Sequence, residues 1–114
     1  MNLGVTLRKL ESLESAETSY RHAIALKPNF AEAYGDLGII LARLGRLEQA
    51  EVSYRQAIAL KPDFSGVHHN LGLLLLDVNK YEEAAKHFKL SNFEKSKYYL
   101  LRCLYIQDKK TLFY

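Results

Sequence analysis

The sequence predicts an all-α fold built from helix pairs that repeat at a fixed interval. Three observations carry that prediction. The 114-residue chain matches itself at an offset of 34, so that residues 16–30 (AETSYRHAIALKPNF) and 50–64 (AEVSYRQAIALKPDF) agree at twelve of fifteen positions. Apolar residues within 31–44 and 48–61 recur at three- and four-residue spacing, the pattern of amphipathic helices. Pro28 and Pro62 stand one offset apart. Each lacks a donor and disfavours helix at the residue before it, so each ends a helix.

Taken in order, the pattern predicts helices over 1–10, 14–27, 31–44, 48–61, 65–78 and 82–90, then a last helix from 94 to about 107. The first helices of the pairs align as NLGVTL (2–7), DLGIIL (36–41) and NLGLLL (70–75). Gly38 and Ala50 are small where two antiparallel helices approach closely, and Tyr54 and Leu41 are large enough to fill the space around them. Glycine within a helix costs about 0.5–1 kcal/mol, so its recurrence at one slot points to packing geometry. Glu11, Gly45 and Asn79 occupy the turn inside each pair, a position that favours left-handed backbone. Glycine suits that conformation and asparagine tolerates it. Glu11 does neither well, and the first turn is expected to be the weakest. Asn29 followed by Glu32 reads as a capping pair for the next helix.

The recurring triplets Leu3/Leu37/Leu71, Gly4/Gly38/Gly72, Leu7/Leu41/Leu75, Ala16/Ala50/Ala84, Tyr20/Tyr54/Phe88 and Ala23/Ala57/Ser91 give the chain its likeness to a known family. With a 34-residue period, residues 1–91 resemble the tetratricopeptide-repeat family. The resemblance implies an all-α solenoid of helix-turn-helix repeats wound as a right-handed superhelix, with first helices lining a concave side. Repeats are expected over 1–30 (lacking its opening four residues), 31–64 and a shortened 65–93, followed by a capping or junction helix in 94–114. It also implies an interaction module that takes a protein or peptide partner, rather than an enzyme; a cytoplasmic location is expected from the lone Cys103, which cannot form an internal disulfide.

Composition and charge agree with that class. The chain is 48% hydrophobic and 25% charged, ordinary globular material. No apolar run is long enough to span a bilayer, so no membrane partner is expected. The net charge of +3 arises wholly in 94–114, from Lys95, Lys97, Arg102, Lys109 and Lys110 against Glu94 and Asp108; residues 1–93 carry eleven charges of each sign. A nucleic-acid binder would carry a basic stripe on its working face, and none is present. Cys103 is the only cysteine, His68 and His69 point about 100° apart on a helix, and His22 and His87 fall at solvent-facing slots. No metal site or cofactor is expected from such a set. Phosphate-cradling glycine loops, nucleophile elbows and metalloprotease motifs are absent, so no catalytic residue is assigned.

The inner face implied by the resemblance collects Glu32, Gly35, Asp36, Ile39, Ala42 and Arg43 in the second repeat. Gly66, His69, Asn70, Leu73, Leu76 and Asp77 take the same slots in the third. Asn2, Asp36 and Asn70 form one rail of equivalent positions and Val5, Ile39 and Leu73 another; with Leu76, these seven are the candidate partner-binding residues. In the branch of the family found in O-linked N-acetylglucosaminyltransferases, an asparagine before the Leu-Gly pair holds peptide backbone. Asn2 and Asn70 match it and Asp36 departs, since an aspartate accepts but cannot donate. The resemblance thus carries an alternative, that these repeats guide substrate for a larger enzyme such as a glycosyltransferase. A further branch clamps chaperone C-termini with lysine, arginine and asparagine. It would need a lysine at Met1, an asparagine at Val5 and basic residues at Gly66 and Asn70, so that mode is rejected.

The C-terminal segment departs from the repeat. Pro28 and Pro62 have no third counterpart, Ser96 taking that slot, and residues 98–106 (YYLLRCLYI) are apolar nearly all round. Leu100, Leu101 and Leu104 are expected to cover the third repeat, leaving Tyr99, Cys103 and Ile106 uncovered. The expectation that follows is a fragment of a longer array, or self-association through this helix.

Overall fold

The computed structural model describes residues 3–112, with side chains from Lys9 to Lys109. Among them lie six helices and no strand: α1 (Leu3–Leu26), α2 (Ala31–Arg43), α3 (Leu47–Leu60), α4 (Ser65–Asp77), α5 (Tyr81–Leu90) and α6 (Glu94–Leu112). The all-α prediction holds. The chain divides between Lys61 and Pro62 into two compact units, one holding α1 to α3 and the other α4 to α6.

In the first unit, α2 packs between α1 and α3. Leu37 and Leu41 of α2 and Ala50, Tyr54 and Ala57 of α3 form its core, all at most 3% exposed. The glycine slot has a direct cause: a Cβ on Gly38 would sit 2.6 Å from Cδ1 of Tyr54, so only glycine admits the ring. The turn into α3 closes as the left-handed glycine at its centre dictates. Gly45 has φ +81°, its N–H donates to the Ala42 carbonyl and that of Arg46 to Leu41, which satisfies two helix-end acceptors.

The second unit repeats this design. A Cβ on Gly72 would sit 2.7 Å from Cε1 of Phe88, and Leu71, Leu75, Ala84 and Phe88 are buried. Asn79 takes φ 64° and the same two backbone bonds recur, from Asn79 to Leu76 and from Lys80 to Leu75. α6 then packs on α5 and, more lightly, on α4.

Three expectations are corrected. No turn interrupts the first pair between Leu3 and Leu26: α1 runs unbroken through Glu11. A left-handed glutamate costs about 1–2 kcal/mol, whereas glutamate is a good helix former, so the helix continues. Leu13, Ala16, Glu17, Tyr20, Ala23 and Ile24 make its half-buried face. Asn29 is no cap either. Phe30 precedes the first turn of α2 without a side-chain bond, and Asn29 lies in a turn closed by the Phe30 N–H on the Lys27 carbonyl, with Pro28 leading it. Finally, α6 extends to Leu112 and shows the opposite side to the one expected. Cys103 is fully buried and Tyr99 and Ile106 are half-buried; of the three leucines expected to cover the third repeat, Leu100 is half-buried while Leu101 and Leu104 are exposed.

Candidate partner-binding faces

On α2, Glu32, Asp36, Ile39 and Arg43 are spaced four, three and four residues apart and so share one side of the helix. Glu32, Asp36 and Arg43 are exposed and Ile39 and Ala42 are half-buried, while Gly35, also expected on this face, is buried. The opposite side is committed to the core through Leu37, Gly38 and Leu41. Glu32 in the first turn and Arg43 in the last both complement the helix dipole. Lys61 Nζ lies 4.0 Å from Glu32, at the limit of an ion pair between two exposed groups.

The equivalent residues of α4 are Gly66, Asn70, Leu73 and Asp77, with Leu76 beside them. Asn70, Leu73 and Leu76 are half-buried and Asp77 exposed. Two residues expected on the open face are roofed by the chain itself. The Phe93 ring reaches 3.4 Å from a Cβ built on Gly66. His69 is buried among the rings of Phe88, Phe93 and Tyr99, at centroid distances of 5.9, 5.6 and 5.8 Å. Asn2 lies outside the described residues, and so does the side chain of Val5.

The second unit also holds a polar cluster that no motif announced. The Ser96 hydroxyl donates to Ser91 Oγ at 2.8 Å, leaving Ser96 Oγ to accept from the Nδ1–H of His69 at 2.7 Å; the Phe93 N–H also donates to Ser91, at 3.2 Å. Burial, with a smaller contribution from Lys95, pulls the His69 pKa below its ordinary value and keeps the ring neutral. His68 Nε2–H donates to the Pro62 carbonyl at 2.8 Å, and its bare Nδ1 accepts from Nδ1–H of His87 at 3.0 Å. His87 is therefore half-buried and engaged, not solvent-facing as expected. One signal was present in the sequence. His68, His69, Ser91 and Ser96 stand where the preceding repeat has Tyr34, Gly35, Ala57 and Pro62, so the cluster is built from the third repeat's departures.

Elsewhere the electrostatics are those of a packed helical protein. Burial pushes the Tyr54 phenol up to about 12 and raises the Cys103 thiol. A hydrogen bond from Arg21, with help from Arg46, holds the Glu17 carboxylate below its ordinary range. Among the described residues, no three His, Cys, Asp or Glu side chains gather to hold a metal ion, and no helix is long and apolar enough to cross a membrane.

Family models of the tetratricopeptide repeat match residues 4–45, 31–64 and 53–86. Solved structures share the fold. The first tetratricopeptide-repeat domain of Spaghetti (RPAP3), bound to the HSP90 peptide SRMEEVD, aligns with a TM-score of 0.81 at 18% identity, covering 92% of this chain and 87% of that one. The Sgt2 tetratricopeptide-repeat domain from Aspergillus fumigatus gives 0.80 at 16% identity, covering 95% and 76%. MamA gives 0.65 at 26% identity, covering 96% of this chain and 57% of its own. No curated protein matches the sequence significantly.

Proposed function

Because the chain belongs to the tetratricopeptide-repeat family, we propose that it is a protein-interaction module whose first helices hold a peptide or partner segment. The observation that carries this reading is the α2 stripe. Exposed Asp36 and half-buried Ile39 lie along one side of a helix whose other side is locked into the core, which leaves that side to a partner. Asn70, Leu73 and Leu76 take that role on α4, and Asn2 and Val5 join them by sequence register. Asp36 accepts from backbone N–H groups, Asn70 both donates and accepts, and Val5, Ile39, Leu73 and Leu76 supply apolar contact. In this reading the chain catalyses nothing, carries no cofactor and works in the cytoplasm.

The Spaghetti domain bound to an HSP90 peptide supports a peptide as partner. It does not support the same peptide. SRMEEVD is acidic, whereas α2 presents Glu32 and Asp36, and Gly66 and Asn70 carry no charge. The partner segment of this chain is therefore apolar with an unsatisfied backbone. The narrower alternative, substrate guidance for a glycosyltransferase, rests on Asn2 and Asn70 and is tested by reading the coding sequence on either side.

Fluorescence titration against an array of random dodecamer peptides tests the proposal. Binders are expected to be apolar, and SRMEEVD is expected to be a poor one. Asp36→Arg, at an exposed position, and Leu73→Asp should each weaken the best binder by about tenfold or more. Arg55→Ala, on α3, should leave it unchanged. If both inner-face variants bind like the wild type with helical content intact, the reading is wrong.

A further inference from the structure

The two sides of α6 are made for different neighbours. Ser96 and Cys103 are fully buried, with Tyr99 and Ile106 half-buried on the same side. Directly opposite, Tyr98, Leu101 and Tyr105 stand 60, 67 and 64% exposed, spaced three and four residues apart as one stripe. Tyr98, Leu101, Arg102, Tyr105 and Ile106 line a shallow depression of about 440 Å³ along it. An apolar stripe of this kind marks an interaction surface, and its charges identify the occupant.

Glu94 and Lys97 lie at one end of the stripe and Asp108 and Lys109 at the other. Now let a second copy lie antiparallel, related by a two-fold axis near residue 102. At 100° per residue, Glu94 then falls opposite Lys109 of the second copy, Lys97 opposite its Asp108, and Tyr98 opposite its Tyr105. Symmetry makes each of these pairs twice. A parallel arrangement instead sets Glu94 on Glu94, Lys97 on Lys97, Asp108 on Asp108 and Lys109 on Lys109. The intramolecular contacts of these groups are loose and exposed, with Lys97 Nζ 3.9 Å from Glu94 and Lys109 Nζ 5.6 Å from the Tyr105 ring centroid, so they yield readily.

We propose that the exposed stripe of α6 docks against the same stripe of a second copy, antiparallel, with Tyr98, Leu101 and Tyr105 at its centre and Glu94–Lys109 and Lys97–Asp108 pairs at both ends. One helix face buries less than the roughly 800 Å² per partner of a stable interface. Arg102, on the flank nearest the two-fold axis, also meets its own copy. Both features make the association weak, with a Kd on the order of 0.1 mM. The surface is separate from the peptide-binding faces proposed for α2 and α4.

Sedimentation equilibrium of the full chain between roughly 0.01 and 1 mM reads the proposal directly. The expected result is a monomer–dimer equilibrium. Leu101→Arg, at a site too exposed to unfold the helix, should weaken it about tenfold or more. Glu94→Lys should weaken it by about threefold to tenfold, and adding Lys109→Glu should bring it back to near the wild-type value. Arg102→Ala should tighten it. A monomer at every concentration overturns the proposal, as does a dimer indifferent to Leu101→Arg. A double charge reversal no better than the single one overturns the antiparallel register. Asp36→Arg should dimerise normally and Leu101→Arg should bind peptide normally, so failure of one proposal leaves the other standing.

Discussion

Gly38 and Tyr54 show how a single atom can decide the spacing of two helices. Substituting alanine at Gly38 would recover about 0.5–1 kcal/mol of helix propensity. The added methyl would lie 2.6 Å from the tyrosine ring, which is itself 3% exposed and hemmed in by the core. Overpacking of this kind costs about 1–3 kcal/mol, so the clash outweighs the propensity gain. Gly38→Ala is therefore expected to lower stability by about 1–2 kcal/mol, read as a reduced urea midpoint with an unchanged slope. This pairing was legible in the sequence because the small and large residues recur in step. The pairing of His68 with His87 was not, since it joins residues 19 apart in sequence through side-chain geometry that no period encodes.

Among the elements, α1 teaches the most about what a repeat can hide. Its slot for the turn carries glutamate, and nothing between Val5 and Lys27 is a glycine or proline, so local preference favours continuous helix. The period predicted a break there and the residue chemistry overruled it. Glu11→Gly is accordingly expected to destabilise the chain, by about 1 kcal/mol, because it places glycine inside a helix. A thermal melt checks the sign: a raised midpoint would mean that residue 11 prefers a turn. The bounds of α2 to α5 were readable because prolines, Gly45 and Asn79 punctuate them. The orientation of α6 was not, because its two sides are nearly equal in apolar character and only packing against α5 and α4 distinguishes them. Of the candidate site, Asp36 is exposed and Ile39 half-buried on one side of α2, while Gly66 and His69 were lost to Phe93 in the α5–α6 connection and, for His69, to Tyr99 on α6 beyond the repeat.

For the molecule as a whole, the third repeat's departures make stability depend on pH. His69 is neutral when folded, with its pKa held below the ordinary 6.5 by burial and by Lys95. As pH falls through 6.5 the unfolded chain takes up a proton that the folded chain refuses. The stability that this neutral ring supports is thus present above pH 6.5 and lost as pH falls through the lowered folded value, at up to about 1.4 kcal/mol per pH unit. His69→Gln should be less stable than wild type at pH 7.5, and the gap should narrow at pH 5. Denaturant titrations at the two pH values measure it, and a gap that stays constant would show that His69 does not carry the dependence.

The same cluster has a consequence for assembly of the chain. Segments 16–30 and 50–64 are so alike that Gly38 would accept the ring of Tyr20 almost as readily as that of Tyr54, and an unfolded chain has little reason to choose between them. α4 faces no such ambiguity. Only the segment carrying both Ser91 and Ser96 can satisfy His69, and a swapped helix bringing Ala57 and Pro62 would leave the imidazole N–H buried without an acceptor, at a cost of about 1–3 kcal/mol. The histidine and two serines therefore act as an address, marking where a sequence of nearly interchangeable parts stops being interchangeable.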